Sequence, residues 1–200
     1  MNYIKIFEEF SKNDPIPEIL KSKKLAIILL GTPGVGKSTF ANNFITHKNR
    51  TIKIFSTDDV SLTLSKDPNI YKIGASELNL KRLRMYINSG GSFIYDTTGT
   101  YKENVEDIVN NAKSKSYDII FIHLIGTLDL SLKQNSQRNR NVDNKFLKHA
   151  YHSQFKNMKF FSELNPNKYY IVYNIDGKYK FMQYQNGELL KRKVDKYIKR

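Results

Sequence analysis

The sequence predicts an α/β fold: a five-stranded parallel sheet in the order 2-3-1-4-5, helices on both faces, and a small C-terminal β extension. Three observations lead there. The run Leu25-Ala-Ile-Ile-Leu-Leu30 is apolar at every position, as a strand covered on both faces must be. It passes through the glycine-rich Gly31-Thr-Pro-Gly-Val-Gly-Lys-Ser-Thr39 into Phe40-Ala-Asn-Asn-Phe-Ile45, whose apolar residues recur at helical spacing. Two later strand candidates end in carboxylates, at Asp58-Asp59 and at Asp96, on the rim where open α/β sheets bind ligands.

The glycine loop is the most informative stretch. Gly31, Gly36, Lys37 and Ser38 match the phosphate-binding pattern G-x-x-x-x-G-K-[ST], set between a strand and a helix as that pattern requires. Glycines at 31, 34 and 36 let the backbone turn its N–H groups onto a polyphosphate. Residues Gly31, Thr32, Pro33, Gly34, Val35, Gly36, Lys37, Ser38 and Thr39 are therefore the expected nucleotide-binding set. Lys37 is expected to reach the β- and γ-phosphates, and the Ser38 hydroxyl to hold Mg²⁺.

Composition narrows the classes. At 200 residues the chain accommodates one domain with a full core. It has no cysteine, so disulfides and thiolate metal sites are excluded. No apolar run reaches membrane-spanning length and the first ten residues lack a continuous apolar core, so the expectation is a soluble, cytoplasmic protein with no membrane partner. The formal net charge is +14, from 33 basic and 19 acidic residues, a field that attracts polyanions. From Lys145 onward there are 13 Lys and Arg against 4 Asp and Glu, which favours a polyanionic partner; a Lys- and Asn-rich composition habit is the plainer reading.

The chain divides into a leader over 1–24, a core over 25–175, and a β extension with a basic tail over 176–200. Tyr3 to Phe10 suits a short helix that packs on the core, stopped by Pro15 and Pro17. Thr51-Ile-Lys-Ile-Phe55 is the second strand, and either Asp58 or Asp59 caps a helix beginning near Val60. Ser61 to Gly74 lacks periodicity and suggests a mobile substrate flap. Ala75 to Asn88 is a helix with Arg82 and Arg84 on its surface, broken at Gly90-Gly91. Ser92 to Asp96 is the third strand. Asp96 is the expected second Mg²⁺ partner, against the plainer reading of a residue bracing the next turn.

Tyr101 to Lys115 is a helix, and Tyr117 to Ile125 a buried fourth strand in which His123 reads as a satisfied core residue. Asp129 to Asn139 and a second helix starting near Asp143 flank Arg138 and Arg140, placed where arginine can stabilise charge on a transferring phosphoryl group. Tyr169 to Tyr173 is the fifth strand. Asp176-Gly177 and Asn186-Gly187 signal turns between antiparallel strands.

The combination of Gly31 to Thr39, Ser56-Thr-Asp-Asp59, Ile94-Tyr-Asp-Thr-Thr-Gly-Thr100 and Lys133-Gln-Asn-Ser-Gln-Arg-Asn-Arg-Asn-Val142 resembles P-loop kinases of the polynucleotide 5′-hydroxyl kinase and zeta-toxin-like group. The resemblance covers residues 25–175 in motif order and spacing. It implies a P-loop NTPase fold of kinase type, a three-layer sandwich. It also implies ATP and Mg²⁺ as cofactors, Asp58 as general base, Arg138 on the donor phosphates with Arg140 beside it, and Asp96 as the strand-end carboxylate. Two positions depart from it: Ser61 stands where such kinases carry an acceptor-phosphate arginine, and Gln134 where a second arginine is expected. The run from Asp96 to Tyr117 is also similar to zeta-like kinases, which phosphorylate a sugar nucleotide.

The expected activity is phosphorylation of a hydroxyl, the 5′-hydroxyl of RNA or DNA first. A small-molecule acceptor such as a nucleoside, nucleotide or sugar nucleotide is the alternative. A non-catalytic, nucleic-acid-binding NTPase module is a third. No base-reading Asn-Lys-x-Asp is present, which disfavours GTP.

Overall fold

The computed structural model describes residues 21–42, 52–64, 72–137, 142–175 and 178–183. Strand β1 (Leu25–Leu30) lies at the centre of the sheet, every residue buried, and leads through the glycine loop into the short helix α1 (Lys37–Phe40). Strand β2 (Lys53–Ser56) runs directly into helix α2 (Thr57–Leu64), followed by α3 (Lys72–Ser89), β3 (Phe93–Thr97) and α4 (Lys102–Ser114). Strand β4 (Asp118–Ile125), helices α5 (Leu128–Ser136) and α6 (Asn144–Glu163), β5 (Lys168–Ile175) and β6 (Lys178–Gln183) complete it.

The sheet order is β2-β3-β1-β4-β5-β6. The first five strands make four parallel pairings, in the expected 2-3-1-4-5 order, and β6 adds antiparallel to β5 with Ile175 opposite Lys178. The turn expected at Asp176-Gly177 lies outside the described residues.

Because side chains alternate across a strand, the fully apolar strands feed two cores. Ala26, Ile28, Leu30, Phe93, Phe121 and Ile171 meet α3, α4 and α6 through Leu83, Ile108, Met158 and Phe161. Leu25, Ile27, Leu29, Ile94, Ile122 and Val172 meet Val35, Phe40 and Ala41 on the opposite face. The glycine loop and the C-terminal ends of β2, β3, β4 and β5 thus share one rim.

Several boundaries differ from expectation. The helix after β2 begins at Thr57 rather than near Val60, so Asp58 and Asp59 occupy its first turn instead of capping it. A carboxylate there complements the helix dipole without being the N-cap. Of the expected flap, Ser61 to Leu64 continue α2 and residues 72–74 begin α3; residues 65–71 lie outside the described residues. The expected leader helix, the Asn186-Gly187 turn and the basic tail also lie outside them.

Candidate active site

The loop from Gly31 to Val35 is buried; Gly36 and Lys37 are half-buried, and Ser38 and Thr39 are exposed. Its glycines are required by space as well as by backbone conformation. Gly34 has φ +80°, and a Cβ there would stand 2.5 Å from the Ser131 carbonyl oxygen on α5. At Gly31 a Cβ would stand 2.5 Å from the Leu124 carbonyl oxygen of β4. The loop is therefore seated against β4 on one side and α5 on the other.

Lys37 folds back over this loop. Its Nζ donates to the carbonyl oxygens of Gly31 at 2.8 Å and Thr32 at 3.3 Å, and stands 3.7 Å from Asp96 Oδ1. Only 11% of the lysine side chain and 13% of the aspartate side chain are exposed, so the pair is substantially removed from water. The ammonium is held at the loop with its charge partly balanced by the carboxylate.

Parallel register places the acids. Asp96 is paired with Leu29 of β1 on one side and Ser56 of β2 on the other. Asp58 follows Ser56 by two residues, so it emerges on the same rim, exposed, with its N–H donating to Ser56 Oγ at 3.2 Å. Asp58, Asp96, Lys37 and Ser38 are thereby brought to one end of the sheet. Arg138 and Arg140 lie outside the described residues. Ser61 is 2% exposed and its Oγ donates to the Thr57 carbonyl at 2.9 Å, so it is used within its own helix.

The donor set suits Mg²⁺: the ion takes few protein ligands, one or two carboxylates together with phosphate oxygens and water. Asp96 and the exposed Ser38 hydroxyl flank the glycine cradle in that way. Among the described residues no group of three or more His, Cys, Asp or Glu side chains gathers.

Three supports carried no signal in the sequence. The first is Asn157 of α6, whose Nδ2 donates to the Gly99 carbonyl at 2.9 Å and holds the Thr97–Thr100 turn after Asp96. In the second, Asn135 of α5 brackets Val142: its Nδ2 donates to the Val142 carbonyl at 2.8 Å and its Oδ1 accepts from the Val142 N–H at 3.0 Å. The third is Asn174 of β5, whose Nδ2 donates to the Val35 carbonyl at 2.8 Å. An asparagine at such a place reads as an ordinary polar residue; the partners of Asn157 and Asn174 are far away in sequence, and that of Asn135 follows the end of its own helix.

His123 is the core residue the sequence suggested. It is fully buried, with Nδ1 3.0 Å from the Tyr169 hydroxyl and Nε2 3.3 Å from Gln154 Oε1. The amide oxygen only accepts, so Nε2 carries the proton and Nδ1 accepts from the tyrosine. Burial lowers its pKa to about 4, against the opposing Gln154 hydrogen bond, and the Lys37 charge adds to the lowering. Burial likewise pushes the Tyr151 hydroxyl pKa up, assisted by Asp129.

Known proteins resemble this chain in sequence and in fold. The chain is 30% identical over 130 residues to an L-seryl-tRNA(Sec) kinase of Methanococcus maripaludis, a match covering 64% of this chain and 51% of that protein. It thus spans about half the length of that curated relative. A chain of the PezAT chromosomal toxin–antitoxin system of Streptococcus pneumoniae has the same fold, with TM-score 0.68, 16% identity, and coverage of 96% of this chain and 87% of that one. A chain of the Pnkp1/Rnl/Hen1 RNA repair complex superposes with TM-score 0.52 and 21% identity, covering 71% of this chain and 46% of that one. Residues 27–162, which hold the loop, Asp58, Asp96 and both arginines, match the AAA domain model AAA_33, and the chain belongs to that family of P-loop kinases.

Proposed function

We propose that this protein transfers the γ-phosphate of ATP to a hydroxyl, and that the acceptor is the 5′-hydroxyl of RNA or DNA. The observation that carries the reading is the convergence of Lys37, Asp96 and Asp58 on the rim of the glycine cradle. Phosphoryl transfer needs a phosphate cradle, a metal, a cation on the transferring group and a carboxylate at the acceptor. Membership of the P-loop kinase family supports the donor half of the reaction.

In this reading the loop N–H groups and Lys37 bind the β- and γ-phosphates. Ser38 and Asp96 would hold Mg²⁺, which neutralises charge on the phosphates. Asp58 accepts the proton of the acceptor hydroxyl as its oxygen bonds to the γ-phosphorus; the bond to the β–γ bridging oxygen breaks, and ADP leaves. Arg138, with Arg140 beside it, stabilises the transferring group from the segment between α5 and α6.

The basic balance of the chain supports a nucleic-acid acceptor, as does the relative described as acting on an aminoacylated tRNA. Ser61 favours a second reading, a small-molecule acceptor, because it offers no cation where an acceptor phosphate is expected and its hydroxyl is spent within α2.

Transfer of labelled γ-phosphate to 5′-hydroxyl RNA and DNA oligonucleotides, seryl-tRNA, nucleosides and sugar nucleotides separates these readings. Labelled oligonucleotide is expected, reduced about 10²-fold or more by Lys37→Ala and by Asp58→Asn. Labelling confined to small molecules would move the acceptor to the second reading. Full activity of Asp58→Asn would remove it as general base.

A further inference from the structure

We infer that Asn174, on the fifth strand and 139 positions from its partner, is a positioning residue that orients the phosphate-binding loop. The inference rests on the nucleotide-binding reading above and concerns the donor side alone. Asn174 is 3% exposed, and its Nδ2 donates to the Val35 carbonyl oxygen at 2.8 Å. The N–H of Val35 is used inside the loop, donating to the Thr32 carbonyl at 3.3 Å. Both polar groups of Val35 are thus tied, one within the turn and one to the sheet.

The consequence falls on the next residue. Val35 C=O and Gly36 N–H belong to one planar trans peptide and point in opposite directions. Pinning the carbonyl against β5 turns the Gly36 N–H away from β5. Gly36 is also where the loop emerges: residues 31–35 are buried and Gly36 is the first that is not. An N–H so aimed is available to a phosphate oxygen. Gly126 secures the same junction, since a Cβ there would lie 3.1 Å from Val35 Cγ2 and 3.7 Å from the Asn174 carbonyl oxygen. The fifth strand, an element distant from the glycine motif, therefore sets the peptide plane that receives phosphate.

Calorimetric titration with ADP and with AMP tests this, because AMP lacks the β-phosphate that the loop receives. Asn174→Ala and the isosteric Asn174→Asp, which has no donor, are expected to bind ADP about tenfold more weakly. AMP affinity should stay unchanged, and the folded fraction should match the unmodified protein. Equal ADP affinity would overturn the inference, as would parallel loss of ADP, AMP and melting temperature, which marks a merely structural bond. A measurement without substitution accompanies it: a scalar coupling across the Asn174 Nδ2–Val35 carbonyl hydrogen bond is expected in the ADP complex, and its absence there overturns the inference. Failure of the unmodified chain to bind ADP would instead overturn the nucleotide reading itself.

Discussion

Two titratable groups, Lys37 and His123, have different partners. Lys37 reaches a carboxylate and two carbonyl oxygens, those of Asp96, Gly31 and Thr32. His123 is fully buried and, among the described residues, hydrogen-bonded by a hydroxyl and an amide, so burial holds it neutral with a pKa of about 4. Between pH 6.5 and 4 the unfolded chain binds a proton on this histidine that the folded chain refuses. Its contribution is thus complete above the unfolded pKa and is lost as pH falls toward 4, by an amount on the order of 3 kcal/mol. Urea unfolding across that range should therefore show a steeper acid decline in the unmodified protein than in His123→Asn. Parallel curves would mean that the histidine is protonated in the fold.

At the scale of elements, the ends of helices do the positioning. Thr127 caps α5 by accepting from the Leu130 N–H at 3.1 Å, and Asp143 caps α6 by accepting from Lys145 at 2.8 Å and Phe146 at 3.0 Å. With Asn135 bracketing Val142, these contacts fix both flanks of the segment that carries Arg138 and Arg140. Asp143→Ala should cost about 1 kcal/mol, a melting shift of roughly 3 °C, read by calorimetry. An unchanged melting temperature would show the cap to be dispensable. The contact of Gly34 with α5 is less forgiving. Gly34→Ala forces a Cβ onto the Ser131 carbonyl at a positive φ, and should destabilise by about 1–3 kcal/mol while weakening nucleotide binding. Alanine tolerated at both readouts would mean that α5 and the loop move apart freely.

For the whole molecule, topology and charge divide the work: the parallel sheet gathers Lys37, Asp58 and Asp96 on one rim, and the basic surplus gives the chain a field of positive sign. Among the described residues no helix is long and apolar enough to cross a membrane. Oligonucleotide affinity should fall steeply with salt, roughly 50-fold between 50 and 200 mM if about four phosphates are neutralised. A flat salt response in a filter-binding assay would assign the charge to composition alone. Much of the fold was legible in the chain because the apolar runs and the glycine loop are local signals with local causes. The start of α2 differs from expectation because β2 runs straight into it, its last residue Ser56 accepting from the Asp58 N–H, which leaves Asp58 and Asp59 inside the first turn. The sequence by itself determined the strand–loop–helix unit and which acids stand at strand ends, since each follows from spacing along the chain. Only the tertiary structure decided that Lys37 pairs with Asp96, that Ser61 is spent within its helix, and that Asn135, Asn157 and Asn174 hold the loops around the site. Most of those contacts join distant segments, and Ser61 is taken up by its own helix, so no local pattern announces them. They appear once the sheet has brought the segments together and a buried backbone carbonyl needs a donor.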